Sequence, residues 1–368
     1  MKRTLIIEPE LHGHKAFYLS LILKAFHGHA ITVLTQAEHP ALEEHLQQQQ
    51  LPDDSFERIP VTSRKVAAVF DQASQLSHQR TFDLIFIPYL DHYLEPILRD
   101  PIALRGPISG IWFHPYALDR SYRWMPPLDK RSKLRGYLHR QLRRPAAAAQ
   151  FEHIYFLDPE APRRLQAINP RIHATVLPDP GEREPKLSKA DARSYFKLPQ
   201  DKTIYLHAGS PEKRKGLPDV LRAFEQLCRN PEQRQRLFLL RIGPNERLNP
   251  KDQARLQQLI QLGCAQTTDG FVSNQDFIEY FAAADWILIP YRNFRFSSGI
   301  LANARIAQRP VIASDYGMIG AQVRREQLGL CFRMGSIRDL TDRLQERSVL
   351  KSSNLTKHRS DFVNSLKI

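Results

Sequence analysis

Short apolar runs rich in β-branched residues alternate with amphipathic, helix-length stretches along the whole chain, and this alternation constrains the fold more than any other feature. Runs at 4–7, 31–34, 84–87, 108–113, 154–157 and 175–177 fill the first half, and runs at 203–207, 238–242, 286–290, 311–314 and 330–332 fill the second. Nearly continuous apolar runs suit strands covered on both faces, and the helical stretches between them supply the crossovers that parallel pairing needs. The expectation is an α/β chain of parallel sheets built from βαβ units.

With 368 residues, 42% of them hydrophobic, the chain can bury two cores. The best boundary is the segment LPDPGEREPKLSKADARSYFKLPQ at 177–200, which is rich in Pro and charge, has no strand pattern and precedes a fresh strand. This predicts a Rossmann-like domain over 1–180, a linker over 181–200, a second Rossmann-like domain over 201–348 and a C-terminal helix or tail over 349–368.

Lys and Arg number 53 against 39 Asp and Glu, a net charge of +14 that calls for an anionic partner: a membrane leaflet, phosphorylated substrates or nucleic acid. Cys228, Cys264 and Cys331 lie far apart with no CxxC pairing, which suits reduced thiols of a cytoplasmic protein better than a disulfide framework or a zinc site. The opening MKRTLIIE is too short for a signal peptide, and no stretch approaches the ~20 apolar residues of a spanning helix.

Two loops carry chemistry. In TIYLHAGSPEKRKGLPDVLRAFEQL a strand runs into Gly209, a basic loop with Lys213, Arg214 and Lys215 follows, and a helix starts near Leu217 with Pro218 in its first turn. Free N–H groups at such a terminus favour an anion; a solvated basic turn is the equal alternative. The second loop, after the run at 286–290, carries Ser297, Ser298 and Gly299 just before a helix starting near Ile300. Two helix termini at the carboxyl edge of one parallel sheet suit a nucleoside diphosphate.

These segments resemble the glycosyl transferases group 1, retaining enzymes of GT-B fold also called family four. The resemblance runs through Gly209 to Gly216, the GFV…YFAAAD…P run of 270–290, and SSGIL…RPVIASDYG of 297–317. It implies two Rossmann-like domains facing an interdomain cleft, with the nucleotide-sugar donor held by the second. By the same resemblance Lys215 holds the donor diphosphate, Phe271 and Val272 receive the nucleobase, and Ser298, Gly299 and Ile300 form the turn that meets phosphates and sugar. Two departures stand out. Ser210 replaces the basic residue that usually follows the first glycine, and Arg295 and Asn303 replace the usual pair of glutamates. Asn303 can still bind ribose hydroxyls, without charge, and Arg214 and Arg295 are the candidates to restore the missing diphosphate charge.

In the first half, Gly13 and His14 follow the first strand, where a Rossmann-like turn faces ligand. A solvated pair of histidines, His12 with His14, is the simpler alternative. His114 ends the run at 108–113, and the family places a histidine at this strand end against the donor sugar; residue type alone suits a locally satisfied His equally. Asp91 reads first as a loop cap and second as an acceptor ligand. Residues 120–144 hold nine Lys or Arg against one Asp, interleaved with Trp124, Leu134 and Tyr137, a composition that fits an anionic membrane surface or a solvated helix. No RNA- or DNA-binding motif is present, so nucleic acid is the least favoured partner.

The expected reaction is retaining transfer of a sugar from a nucleotide donor to a hydroxyl of a glycan or lipid-linked glycan, with no cofactor and no metal, since no DxD triplet is present. The expected location is cytoplasmic, peripheral to the inner face of the membrane. A GT-B sugar-nucleotide epimerase, a noncatalytic nucleotide-sugar-binding scaffold and a transferase acting on tRNA are the rivals.

Overall fold

The computed structural model describes every residue except 13, 119–129, 182–183, 246–247, 271, 347–358 and 367–368. The chain forms two compact units. The first comprises residues 1–178 with 359–368, and the second residues 179–358.

The first unit is built on a seven-stranded sheet of β1 (Arg3–Ile7), β2 (Ala30–Thr35), β3 (Glu57–Pro60), β4 (Leu84–Ile87), β5 (Ile108–Ile111), β6 (Phe151–Phe156) and β7 (Ala174–Val176). Their spatial order is β3-β2-β1-β4-β5-β6-β7, and every pair is parallel. Side chains alternate through the sheet as strand periodicity requires. On β1, Leu5 and Ile7 join one core with Val69 and Leu165, while Ile6 joins the opposite core with Phe17, Leu42 and Leu46. The helix His14–Ala25 is apolar through most of its length because it is buried between the sheet and a returning helix, Arg359–Ser365. From that helix Phe362, fully buried, meets the Tyr18 ring edge-on at 5.4 Å.

The second unit has six strands, β8 (Thr203–Ala208), β9 (Leu237–Ile242), β10 (Ala265–Thr268), β11 (Trp286–Ile289), β12 (Val311–Ser314) and β13 (Gly329–Phe332). The order is β10-β9-β8-β11-β12-β13, again all parallel. In this unit too, cores form on both faces of the sheet. The α/β class and two Rossmann-like parallel sheets expected from the apolar rhythm are therefore present.

Two strands fall outside the predicted runs. β3 (ERIP) and β10 (AQTT) are edge strands with one side free of neighbours, so they carry polar residues and no apolar run marks them. Four runs also overreach: β5 stops at Ile111 rather than 113, β6 at Phe156 rather than 157, β7 at Val176 rather than 177, and β11 at Ile289 rather than 290. The segment 181–200 is not bare linker. It carries the helix Lys189–Tyr195, which is fastened to the second unit by Arg193, whose Nη2 donates to Asp285 Oδ2 at 2.5 Å. The buried Glu279 carboxylate accepts the backbone N–H groups of Lys186 and Leu187 at 2.9 and 3.0 Å. No helix among the described residues is long and apolar enough to cross a membrane.

Candidate functional site

In both units the central strand adjoins the strand at which the winding reverses: β1 beside β4, and β8 beside β11. Loops leaving the carboxyl ends of such a pair diverge and leave a crevice, the usual ligand site of open α/β sheets. The residues singled out in the sequence gather at these two places, each within its own unit.

In the second unit β8 is followed by Gly209, whose N–H donates to the Ile242 carbonyl at 3.0 Å. A one-turn helix, Lys213–Lys215, leads to Gly216, which adopts φ +70°. A Cβ there would stand 1.9 Å from the Pro290 carbonyl oxygen, so only glycine lets the start of the helix Leu217–Leu227 approach the end of β11. This contact brings the two phosphate-type loops together. The Lys215 ammonium donates to the Tyr291 hydroxyl at 2.5 Å and lies 4.3 Å from its ring centroid. Ser298 Oγ in turn donates to the Tyr291 hydroxyl at 3.2 Å. Arg292 fastens the same pair of loops: its backbone N–H donates to the Arg214 carbonyl at 2.8 Å, and its guanidinium grips the buried Asp219 carboxylate with two bonds of 2.6 Å.

The helix Gly299–Ile306 starts beside this cluster. Ser298 is its N-cap residue but engages no amide with its hydroxyl, Gly299 is exposed, and open space surrounds the position of its missing Cβ. The start of the helix at Gly299 is thus unobstructed, and it carries the partial positive charge of a helix terminus. Ile300 and Asn303 are buried in the first two turns, and Ser297 is half-buried. Val272 follows β10 and packs on the core, next to Ser273, whose hydroxyl caps the helix Asn274–Ala283 through the Asp276 N–H at 3.0 Å. Phe271 lies outside the described residues.

The two arginines expected to replace lost charge are engaged by neighbours. Arg214 Nε donates to Glu212 at 2.6 Å and its guanidinium lies 5.0 Å from the Phe294 ring. A hydrogen bond from Ser210, followed by the charges of Arg214 and Lys215, holds the Glu212 carboxyl below the usual range against partial burial. Arg295 Nε donates to the Tyr316 hydroxyl at 2.7 Å.

In the first unit, His14 and His114 reach one aromatic cluster. The His14 ring lies 6.2 Å from Phe113, Phe113 stacks on Tyr89 at 4.7 Å, and the Tyr89 hydroxyl is 3.4 Å from His114 Nδ1. Asp91 caps the end of β5, as its position suggested, accepting the N–H groups of Phe113 and His114 at 2.9 and 2.7 Å. Its carboxylate also sits 3.2 Å from His114 Nδ1, which fixes the imidazole. Gly13 lies outside the described residues.

Sequence reasoning passed over five groups here: Glu8, His207, Arg241, Tyr291 and Arg292. Glu8 directly follows β1, 1% exposed, with the Lys15 ammonium 3.9 Å away. Burial pushes its carboxyl up to about 8, the Lys15 charge opposing. A strand-end acid in an apolar run was the available signal for Glu8, and the YR pair after Pro290 for the others in that loop.

Comparison with known proteins finds similarity in the second unit and in the overall fold. Residues 188–365 match the family model of the glycosyl transferases group 1. A D-inositol 3-phosphate glycosyltransferase of Nocardioides sp. is 28% identical over 208 residues, which is 54% of this chain but only 43% of that relative's length. Sucrose-phosphate synthase of Thermosynechococcus elongatus superposes with a TM-score of 0.67 at 18% identity, covering 100% of this chain and 95% of that one. The Anabaena protein HepE, solved with UDP, gives 0.65 at 16% identity, covering 99% and 97%. The second unit thus carries the match to the glycosyl transferases group 1, and the chain as a whole has the GT-B fold.

Proposed function

We propose that the protein transfers a sugar from a nucleotide-sugar donor to a hydroxyl of a glycan or lipid-linked glycan, with retention and without a metal. The observation that carries this reading is the convergence of Lys215, through Tyr291 and Ser298, with the open amide end of the helix at Gly299. Lys215 and the first-turn amides would receive the charge that grows on the departing diphosphate as the anomeric C–O bond breaks. Fixed donors aimed at developing charge are commonly the largest catalytic contribution. The acceptor oxygen forms its bond to the anomeric carbon on the face the diphosphate leaves, and its proton passes to the departing phosphate oxygen. On this reading Val272 and Phe271 take the base, Asn303 the ribose, and His114, fixed by Asp91, serves the sugar. His14 and Gly13 serve the donor phosphate or the acceptor.

HepE was also solved with UDP-glucose, which makes uridine nucleotides the first to test. Thermal-shift titration with nucleoside diphosphates should raise the melting point for at least one base, since a ligand of the folded state alone stabilises it. Transfer should survive EDTA. Conversion of the nucleotide sugar without any acceptor would mark an epimerase instead, and failure to bind any nucleoside diphosphate would mark a scaffold.

A cytoplasmic protein peripheral to an anionic membrane fits the basic run. The helix Lys130–Leu142 falls within it, Leu134 is exposed, and Arg135 lies 4.8 Å from the ring of the exposed Tyr116. Co-sedimentation with vesicles should rise with the fraction of anionic lipid.

A further inference from the structure

The carboxyl ends of β8 and β9 carry two basic groups that the proposed chemistry leaves unused. His207 and Arg241 stand opposite each other in the strand register, 1% and 0% exposed. They project from the face covered by the helix Leu217–Leu227, the face that Tyr205 and Leu239 also serve. Arg241 Nη1 donates to the Ile242 carbonyl, Nη2 donates to the Pro244 carbonyl at 3.2 Å, and Nε has no partner. Among the described residues no carboxylate pairs with it. Burial pushes its pKa down to about 10, against the pull of the exposed Asp269, so the group stays charged at neutral pH. His207 cannot share the load as an ion: burial and the Arg241 charge hold its pKa down to about 3. It is neutral, and the ring reaches the Lys215 carbonyl through Nε2 at 3.2 Å.

A guanidinium taken out of water without a counter-ion is costly unless an anion compensates it. Its surroundings here make the imbalance larger. The Ile242 carbonyl that holds Arg241 also holds the Gly209 N–H. A Cβ on Gly243 would stand 3.0 Å from Arg241 Nη1 and 2.5 Å from the Gly209 oxygen, so the guanidinium and the Gly209 turn flank the same glycine. Over Gly209 itself lies Lys215, whose Nζ would be 3.8 Å from a Cβ at that glycine. The buried cation, the Lys215 ammonium and the start of the helix Leu217–Leu227 therefore add their positive potential around one turn.

We infer that Arg241 is a charge-supplying residue for the nucleoside diphosphate end of the donor, acting through its field across the Gly209 turn and not by contact. It takes the place that Ser210 cannot fill and that Arg214 and Arg295, held by Glu212 and Tyr316, do not occupy. The inference rests on the proposed donor site. A contact-free role makes a distinctive demand: the effect must scale with ligand charge.

Isothermal titration of uridine, UMP and UDP against the full chain and its Arg241→Met and Arg241→Lys variants tests it. The Met variant should bind UDP about tenfold more weakly, UMP less affected and uridine unchanged, with the Lys variant restoring most of the UDP affinity. Unchanged UDP affinity in the Met variant overturns the inference, as does an equal loss for all three ligands, which marks a structural role. Should the Met variant fail to fold, the Lys variant decides alone: UDP affinity within about twofold of wild type supports the inference, and a loss shared equally with uridine overturns it. Where the wild-type chain prefers another base, that base's nucleoside, monophosphate and diphosphate replace the uridine series, and a chain that binds no nucleoside diphosphate defeats the donor-site reading itself.

Discussion

The first strand of each unit ends at the same topological place with opposite electrostatics. β1 leads directly into Glu8, an acid buried in an apolar setting, while β8 runs through His207 toward Gly209 and leans on Arg241 and Lys215. The scaffold is the same: a parallel sheet, a central strand and a reversal of winding beside it. What differs is the charge that each switch point presents: a carboxyl held largely protonated by burial in the first, clustered cations in the second. A diphosphate suits the basic one; a neutral hydroxyl-bearing partner suits a site lined by a raised-pKa acid, His114 and aromatic rings. The comparison teaches that a duplicated architecture fixes where ligands go, while a few strand-end side chains fix which ligand goes where.

The largest way to break this contrast is to remove the second unit's mobile cation. Lys215→Ala should lower transfer by roughly 10²–10³-fold, the scale for losing one donor to a developing anion, and should weaken nucleoside diphosphate binding measured by titration. Loss of neither would remove Lys215 from the site.

Stability against pH separates the units next. Glu8 is raised in the folded state, so its contribution is fully present below the ordinary carboxyl pKa and is lost as pH rises through about 8. His207 is depressed, so its contribution is present above the ordinary imidazole pKa and is lost as pH falls toward about 3. Each slope approaches about 1.4 kcal/mol per pH unit within its window. Urea melts across pH should show Glu8→Gln flattening the alkaline limb alone and His207→Gln the acid limb alone. A variant that flattened both limbs, or neither, would show that the two groups do not divide the pH dependence this way.

The smallest effect is expected from the latch between the loops. Asp219→Asn keeps the shape but removes the charge that Arg292 grips, and should cost about 1–3 kcal/mol of stability. Donor affinity should fall with it because Lys215 and Ser298 lose their common frame; a stability loss with unchanged affinity would confine the latch to folding.

Much of the fold was legible because buried central strands must be apolar on both faces. The edge strands β3 and β10 were not, since ERIP and AQTT face solvent along one side and need no apolar run. Parts of the site were legible for a local reason: Gly209, Lys215, Ser298 and Gly299 sit at strand-to-helix turns, which the switch from apolar run to helical spacing locates. Their partners were not. Lys215 meets Tyr291 from 76 positions away, and Arg292 meets Asp219 from 73. The same distance hid the fate of Arg214 and Arg295, whose charges looked available until Glu212, Phe294 and Tyr316 were placed around them.

The sequence by itself determined the parallel α/β class, the division into two halves, the capped helices such as Asn274–Ala283 begun by Ser273, and the turns where an anion could bind. These follow from periodicity and from interactions between residues a few positions apart. Only the tertiary structure decided which charges are buried, which are paired and which stand alone. That depends on strand order, since β9 beside β8 sets Arg241 opposite His207, and β11 beside β8 sets Tyr291 against Lys215. The electrostatic contrast between Glu8 and Arg241 arises at that level, because burial sets the cost of ionising each group and strand order decides which described carboxylates or cations stand beside it.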